Sequence, residues 1–345
     1  MSTDRAGLSI EAVDPFDDEA FDTWHAVHLA SQRHGREPAA VTAWTREEMR
    51  AQLQRPGRRS WAGVFLGRVD GEPVATGHLL TPLLDNLDQA QVSVDVLVAH
   101  RRHGHGTRML GHLTEQALAR GRRLWIAEAS WPMTAPADGA GEPGPGLLRD
   151  HGFTLGLVEV LRVLDPPPDP GHLRALAARA APHHAAYEVR SFVGRVPDDL
   201  LAGWATVTAS LSTEAPMGSL SLEAEVADPA LVREEEELLA RQDRTRHAAV
   251  ALDPGGRVVG YTEVVTTGHE PGLAYQWGTV VDPAHRGHRL GLALKAAAHL
   301  LLHEHVGDLR MVRTWNAETN AHMVAVNDLL GYRPIERYGG FERRA

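Results

Sequence analysis

The sequence predicts an α/β protein, a mixed sheet with helices on both faces, made twice over in one chain. Two observations carry that reading. Ala99-His100-Arg101-Arg102-His103-Gly104-His105-Gly106 aligns with Ala284-His285-Arg286-Gly287-His288-Arg289-Leu290-Gly291, and at the same offset Gly71 and Val74 fall on Gly256 and Val259. Gly152-Phe153 then matches Gly331-Tyr332 with a small shift that a short insertion explains. Each glycine-rich segment also follows a strand-like run and opens an apolar helical pattern, so the repeated object is strand, turn and helix. A chain of 345 residues accommodates two domains of about 150 residues each.

In the first copy Trp61 to Leu66, Val74 to Leu80 and Val92 to Val98 read as strands, the last from the alternation of Val92, Val94, Val96 and Val98. A helix is expected from Gly106 to Ala119 and a strand from Leu124 to Ala127. Pro132 to Pro145 is rich in Pro, Gly and Ala, with no Asn-headed helix of the kind that follows the second copy. Asp165-Pro166-Pro167-Pro168-Asp169-Pro170-Gly171 can continue neither strand nor helix and reads as the start of a linker, followed by an Ala-rich helical run from Leu173 to Ala181. The expected division is therefore a first domain over 1–166, a linker over 167–185 and a second domain over 186–345. In the second domain, strands are expected near Tyr187 to Val193, His247 to Leu252, Val258 to Thr266, Leu273 to Val281 and Leu309 to Thr314, and near Tyr332 and Tyr338. Helical spacing marks Leu200 to Leu211, Leu231 to Ala240, the segment after Arg286 with Leu290, Leu294, Ala298 and Leu301 on one face, and Glu318 to Leu329.

Composition narrows the function. A formal net charge of −10 argues against a nucleic-acid partner, which needs a basic surface, and suits a cationic or amine substrate. Lys295 is the single lysine, and with no cysteine the chain has neither disulfides nor thiolate chemistry. No run approaches the roughly 18 apolar residues of a membrane span. Acidic Asp4 stands where a secretory signal carries basic charge, so the expectation is a cytoplasmic protein, monomeric or homodimeric, without a membrane or nucleic-acid partner.

The turn itself carries the chemistry. A glycine-rich strand-to-helix turn aims free backbone N–H groups and the positive end of the helix dipole at one point, which suits a pyrophosphate, and Arg101 and Arg102 can add charge-assisted bonds. A Rossmann turn fits poorly, because the motif sits in mid-domain with no Gly before the Arg, and a Walker loop is excluded by the lack of Gly-Lys-Ser/Thr. Arg101-Arg102-His103-Gly104-His105-Gly106 resembles the Arg/Gln-x-x-Gly-x-Gly/Ala signature of the GNAT superfamily of N-acetyltransferases. His285 to Gly291, followed by Asn316-Ala317-Glu318-Thr319-Asn320 and by Asn327 ahead of Leu330-Gly331-Tyr332, resembles actinobacterial tandem GNAT proteins, with mycothiol synthase a more distant relative of the same plan.

The resemblance implies two tandem GNAT-like domains, each a twisted, mostly antiparallel sheet with helices on both faces. It also implies acetyl-CoA, or another acyl-CoA, as cosubstrate and an amine of a small molecule as acceptor, with no metal. Cofactor contacts are expected at Leu97, Val98, Arg101, Arg102, His103, Gly104, His105 and Gly106 in the first copy. In the second they fall at Thr279, Val280 and Val281 on the strand, Arg286, Gly287, His288, Arg289, Leu290 and Gly291 in the turn, and Asn320 and Asn327 beyond it. Arg289 departs from the pattern, standing where the first Gly is expected, and its guanidinium either meets the phosphates or simply faces solvent at the helix start. Asn316 reads as a helix cap and Asn320 as a cofactor contact.

Family members often protonate the departing thiolate with a Tyr at the position of Asn327, an amide that cannot do so. Tyr332 and Tyr338 are the nearby substitutes, with Tyr332 named as the acid and water as the alternative. Glu263, a carboxylate in an apolar strand, is the expected base. Glu214 and Met217 are expected at the acceptor. His103, His105 and His112 alternate between turn and helix without a carboxylate, a poor metal set. The second domain thus reads as the catalytic one in an acetyl-CoA-dependent N-acetyltransferase; the competing reading is a non-catalytic acyl-CoA sensor or scaffold.

Overall fold

The computed structural model describes residues 7–55 and 57–345, so most of the N-terminal segment read above for a targeting signal lies outside it. Two compact units result. The first runs to Val158 and adds Ser219–Ser221 and Arg337–Ala345; the second comprises Glu159–Gly218 and Leu222–Glu336.

The first unit opens with β1 (Ser9–Val13), α1 (Asp18–Arg33), α2 (Arg46–Gln54), β2 (Ser60–Val69), β3 (Glu72–Pro82) and β4 (Gln89–Val96). It continues with α3 (His105–Ala119), β5 (Leu124–Pro132), α4 (Pro143–Asp150) and the start of β6 (Thr154–Leu164). Strands β1 to β4 pair antiparallel in sequence order, and β4 pairs parallel with β5. Neither α1 nor α2 was expected, yet both begin on good local signals. Asp17 caps α1 by accepting from Ala20 N, with Asp18 and Glu19 in the first turn, and Thr45 and Glu48 form a capping box on α2. On one face of the sheet Ala75, Leu79 and Val92 pack against Met109, Leu110 and Leu113 of α3.

The second unit takes the end of β6, then α5 (Pro170–Ala180), β7 (Glu188–Val193), α6 (Leu201–Ala209), α7 (Leu211–Glu214), α8 (Pro229–Arg241), β8 (Arg244–Leu252) and β9 (Val258–Thr267). It closes with β10 (Leu273–Val281), α9 (Leu290–His305), β11 (Met311–Ala317), α10 (Ala321–Leu330) and the start of β12 (Arg333–Arg344). Strands β7, β8, β9 and β10 pair antiparallel in that order, β10 pairs parallel with β11, and β11 antiparallel with β6. Leu290, Leu294, Ala298 and Leu302 of α9 pack on Val259, Val264, Ala274 and Val312, and Trp204, Val232, Tyr261 and Val280 fill the opposite face.

Two expected boundaries move. Residues 167–185, expected as a linker, form α5 and a short 3₁₀ turn. Leu173, Leu176 and Ala180 enter the second core, because Asp169 caps the helix that Pro170 starts. The C-terminal residues from Arg337, expected in the second domain, belong to the first unit, where Gly339 lies against Trp131 and Phe341 joins the core. Among the described residues no helix is long and apolar enough to cross a membrane.

Candidate active site

The second turn runs from β10 through a 3₁₀ turn (Pro283–His285) into α9. Gly287 takes φ +87° and Arg289 φ +54°, both left-handed, and Arg289 is the residue from which α9 starts. At the first turn the matching positions, Arg102 at +66° and Gly104 at +83°, share that conformation with the glycine and arginine exchanged. The backbone is therefore conserved between the copies while one of its two left-handed positions carries an ordinary side chain each time. The Nε of Arg286 donates to Val281 O at 3.1 Å and that of Arg101 to Val96 O at 3.0 Å, so each arginine braces the strand it follows. Arg289 points away, its Nη1 bonding Arg179 O at 3.2 Å, and His288 Nδ1 lies 3.2 Å from His183 O. A Cβ built on Gly291 meets nothing within 4 Å, so the N-terminal face of α9 is unobstructed at that point.

Next to the turn the sheet opens. The β10–β11 ladder ends at Gln276↔Thr314. The register against β9 shifts between Gln276 and Thr279, and from Thr279 β10 pairs with β9 alone, while Trp315 to Ala317 pair with β6. In an antiparallel ladder only alternate N–H groups face the partner, so those of the Thr279 to Val281 stretch that face away from β9 point into the gap. Val280 itself is a core residue, and Thr279 Oγ1 lies 2.7 Å from Thr262 Oγ1.

The other expected residues scatter. The cap expected at Asn316 is instead Asn320, which heads α10 and accepts from Met323 N at 3.1 Å, while Asn316 is buried. Asn327 donates to Asn316 Oδ1 at 2.9 Å and accepts from Lys295 Nζ at 2.7 Å. Lys295 is fully enclosed, and burial lowers its pKa to about 7. Asn327 thus belongs to a buried polar network with Asn316 and Lys295. Tyr332, the expected acid, lies in the hydrophobic core with its hydroxyl 3.4 Å from His299 Nε2, and burial raises its pKa. Tyr338, the other candidate, belongs to the first unit, where its hydroxyl meets Arg36 and Thr42. Glu214 ion-pairs with Arg286 at 2.8 Å, which ties the cradle arginine to the loop that carries half-buried Met217.

Glu263 is buried, and its Oε2 accepts from Arg246 Nε at 2.8 Å. Its Oε1 makes no hydrogen bond yet is not sealed from solvent. Burial raises the carboxyl pKa and the guanidinium opposes the rise. Two residues earlier on the same strand face stands Tyr261, which sequence reasoning missed. Its hydroxyl occupies the place where a Cβ on Gly278 would point, 1.9 Å away, at the register shift, and it too has neither a partner nor a sealed surface. Burial, reinforced by Glu263, Glu235 and Glu225, keeps that hydroxyl protonated. The signal in the sequence was Gly278, which lets the strand pass the ring.

The first turn differs. A Cβ on Gly106 would sit 3.2 Å from Leu147 of α4, so an apolar side chain covers the point that is open at Gly291. Leu97 N bonds Val74 O at 3.0 Å, Val98 starts an exposed 3₁₀ turn, His105 is buried with its ring 6.0 Å from that of His103, and β4 pairs with β3 without a register shift. His112 packs edge-on against Phe65.

A model of the acetyltransferase (GNAT) family matches residues 27–133 and 213–332, which include both turns. A tandem GNAT protein from the clavulanic acid biosynthesis pathway is similar over 98% of this chain and 98% of its own, with TM-score 0.76 and 24% identity. A GCN5-related N-acetyltransferase from Sphaerobacter thermophilus aligns over 100% and 97% of the two chains with TM-score 0.64 at 16% identity. Saccharomyces cerevisiae N-myristoyltransferase with bound myristoyl-CoA covers 97% of this chain and 82% of that one, with TM-score 0.59 at 10% identity. At such identities the likeness is one of fold. No curated protein matches the chain by sequence.

Proposed function

This chain belongs to the acetyltransferase (GNAT) family, with two GNAT regions in tandem, and on that premise we propose that its second unit transfers an acetyl group from acetyl-CoA directly to the amine of a small molecule. The observation that carries the reading is the coincidence, in one place, of an unobstructed helix N-terminus at Gly291 and a parted pair of strands beginning at Gln276 and Thr314. Helix N-termini of this kind suit a pyrophosphate, and the parted strand supplies N–H donors where a thioester carbonyl develops charge. The cosubstrate brings the thioester and a thiolate leaving group. Backbone N–H groups from Gly287 to Gly291 hold its phosphates, and Arg286 adds charge once Glu214 shares it. The amine loses a proton to Glu263 Oε1, its nitrogen bonds the acetyl carbon, and the carbon–sulfur bond breaks as the Tyr261 hydroxyl, or water, protonates the thiolate. Glu263, Glu235 and Glu225 make the acceptor side acidic, which favours a cationic acceptor.

A non-catalytic acyl-CoA sensor remains the second reading, favoured by the burial of Asn327, the usual acid position, in the Lys295 network. Free-thiol release from acetyl-CoA with a panel of small amines separates the two, and a protein without cysteine adds no thiol background. Amine-dependent release supports the transferase; a melting temperature raised by CoA with no release from any amine supports the sensor.

A further inference from the structure

Between α7 and α8 the second copy carries a long connection, Ala215 to Asp228, with neither helix nor strand. Connections within compact domains are commonly about 4–6 residues, and much longer ones without secondary structure are usually functional. This one is fastened at its middle, because Ser219–Ser221 belongs to the first unit. There Ser219 N donates to Gly156 O at 2.9 Å, and Ser221 N and Oγ donate to Glu342 Oε2 and Oε1 at 2.6 and 2.9 Å. Ser221 O accepts from Gln89 Nε2 at 3.0 Å.

Leu220, between the two serines, sits on a seat made by missing side chains. A Cβ on Gly156 of β6 would come 2.7 Å from its Cδ2, and one on Gly340 of β12 would come 3.0 Å from its Cδ1. Neither glycine takes a left-handed φ, so glycine stands at these places for the close approach of Leu220 and not for backbone freedom. An apolar knob in a glycine seat, flanked by paired serine bonds to one carboxylate, makes a latch held from three strands, β4, β6 and β12.

A short arm, Ala215 to Gly218, joins the latch to Glu214, whose Oε2 pairs with Arg286 Nη2 at 2.8 Å. The Nε of the same guanidinium braces Val281 O, and Arg289 points to Arg179 O, so Glu214 occupies the guanidinium that would meet phosphate at the second turn. Carboxylate and phosphate are alternative partners for such a group. We propose that Ala215 to Asp228 is a strap latched at Leu220 and Ser221, and that the latch holds Glu214 on Arg286 as an internal stand-in for phosphate, lowering the affinity for CoA until the pyrophosphate displaces it. Displacement frees the arm that carries Met217, so cosubstrate binding loosens the strap. The proposal rests on the phosphate-binding reading of the second turn and not on acetyl transfer. With the side chains of Arg286 and Glu214 50% and 30% exposed, the ion pair is weak and the competition mild.

The test is calorimetric titration of the full-length protein with CoA, in the wild type, Glu214→Gln, Leu220→Ser and the double variant, with melting temperatures as a check on folding. Loss of the heat in Gly291→Asp assigns it to the second turn. The expected result is CoA bound about two- to fivefold more tightly by each single variant, the worth of an exposed ion pair. The double variant binds no more tightly than Glu214→Gln, because the latch acts through Glu214. Gly156→Val, which fills the seat, replaces Leu220→Ser if that variant misfolds. Wild-type affinity in either single variant, or gains that multiply in the double variant, overturns the proposal while the phosphate reading stands. Heat absent from every protein at millimolar CoA, or undiminished by Gly291→Asp, overturns the phosphate reading with it.

Discussion

At the scale of residues, the two glycine-rich turns share one backbone with arginine and glycine exchanged, so that Arg289 stands in the left-handed region at φ +54°. A non-glycine residue there is strained, and its compensating bond to Arg179 O is an exposed one. Arg289→Gly is therefore expected to stabilise the protein by about 0.5–1 kcal/mol, seen as a melting temperature raised by a few degrees; an unchanged or lowered value would show the guanidinium bond to outweigh the strain. Asn316 was expected as the cap, a place Asn320 takes, because both can cap and only the register of α10 decides which one does. For Glu263, the cost of burying a carboxylate was legible in its apolar strand, but Arg246, its partner from β8, was not. Glu263→Gln should lower kcat about 10²- to 10⁴-fold, as loss of a general base does, with little change in KM for acetyl-CoA. Retention of full kcat would assign the proton to another acceptor.

At the scale of elements, the repeat was readable because strand period, glycine turn and helical spacing agree within each short segment. The helices before Trp61 were not expected although their caps are strong, since that stretch has no counterpart in the duplicated motif. α9 holds the sharper physical case. Lys295 sits inside it with Asn327 as its hydrogen-bond partner, and its pKa falls from 10.5 to about 7 through burial. Between those values the unfolded chain holds a proton that the folded chain does not, so unfolding takes one up and stability rises as pH increases from about 7 toward 10.5. Lys295→Met should remove that slope in chemical denaturation measured across the interval. A slope unchanged by the substitution would mean that Lys295 keeps its proton when folded.

At the scale of the whole molecule, the duplication was legible but the division of the chain was not. Each unit is completed by residues from the other copy: β6 delivers Glu159 to Leu164 to the second unit, and Arg337 onward returns to the first. A contiguous sequence cannot display such an exchange, because the pairing partners lie far apart along the chain. The two glycine-rich turns differ as well, one covered by Leu147 and one unobstructed, a difference that lies in α4 and not in the turns.

Acetyl transfer by the second unit is tested most directly by amine-dependent thiol release from acetyl-CoA in Gly291→Asp and Gly106→Asp, with the melting temperature of each as a check on folding. An aspartate in the first turn of α9 suits the helix dipole and meets no atom at its Cβ, so the fold persists while its charge repels phosphate. Catalysis by the second unit predicts a folded Gly291→Asp protein without turnover and a Gly106→Asp protein that, where it folds around Leu147, keeps most of it. A folded Gly291→Asp protein with full activity beside an inactive, folded Gly106→Asp protein would contradict it.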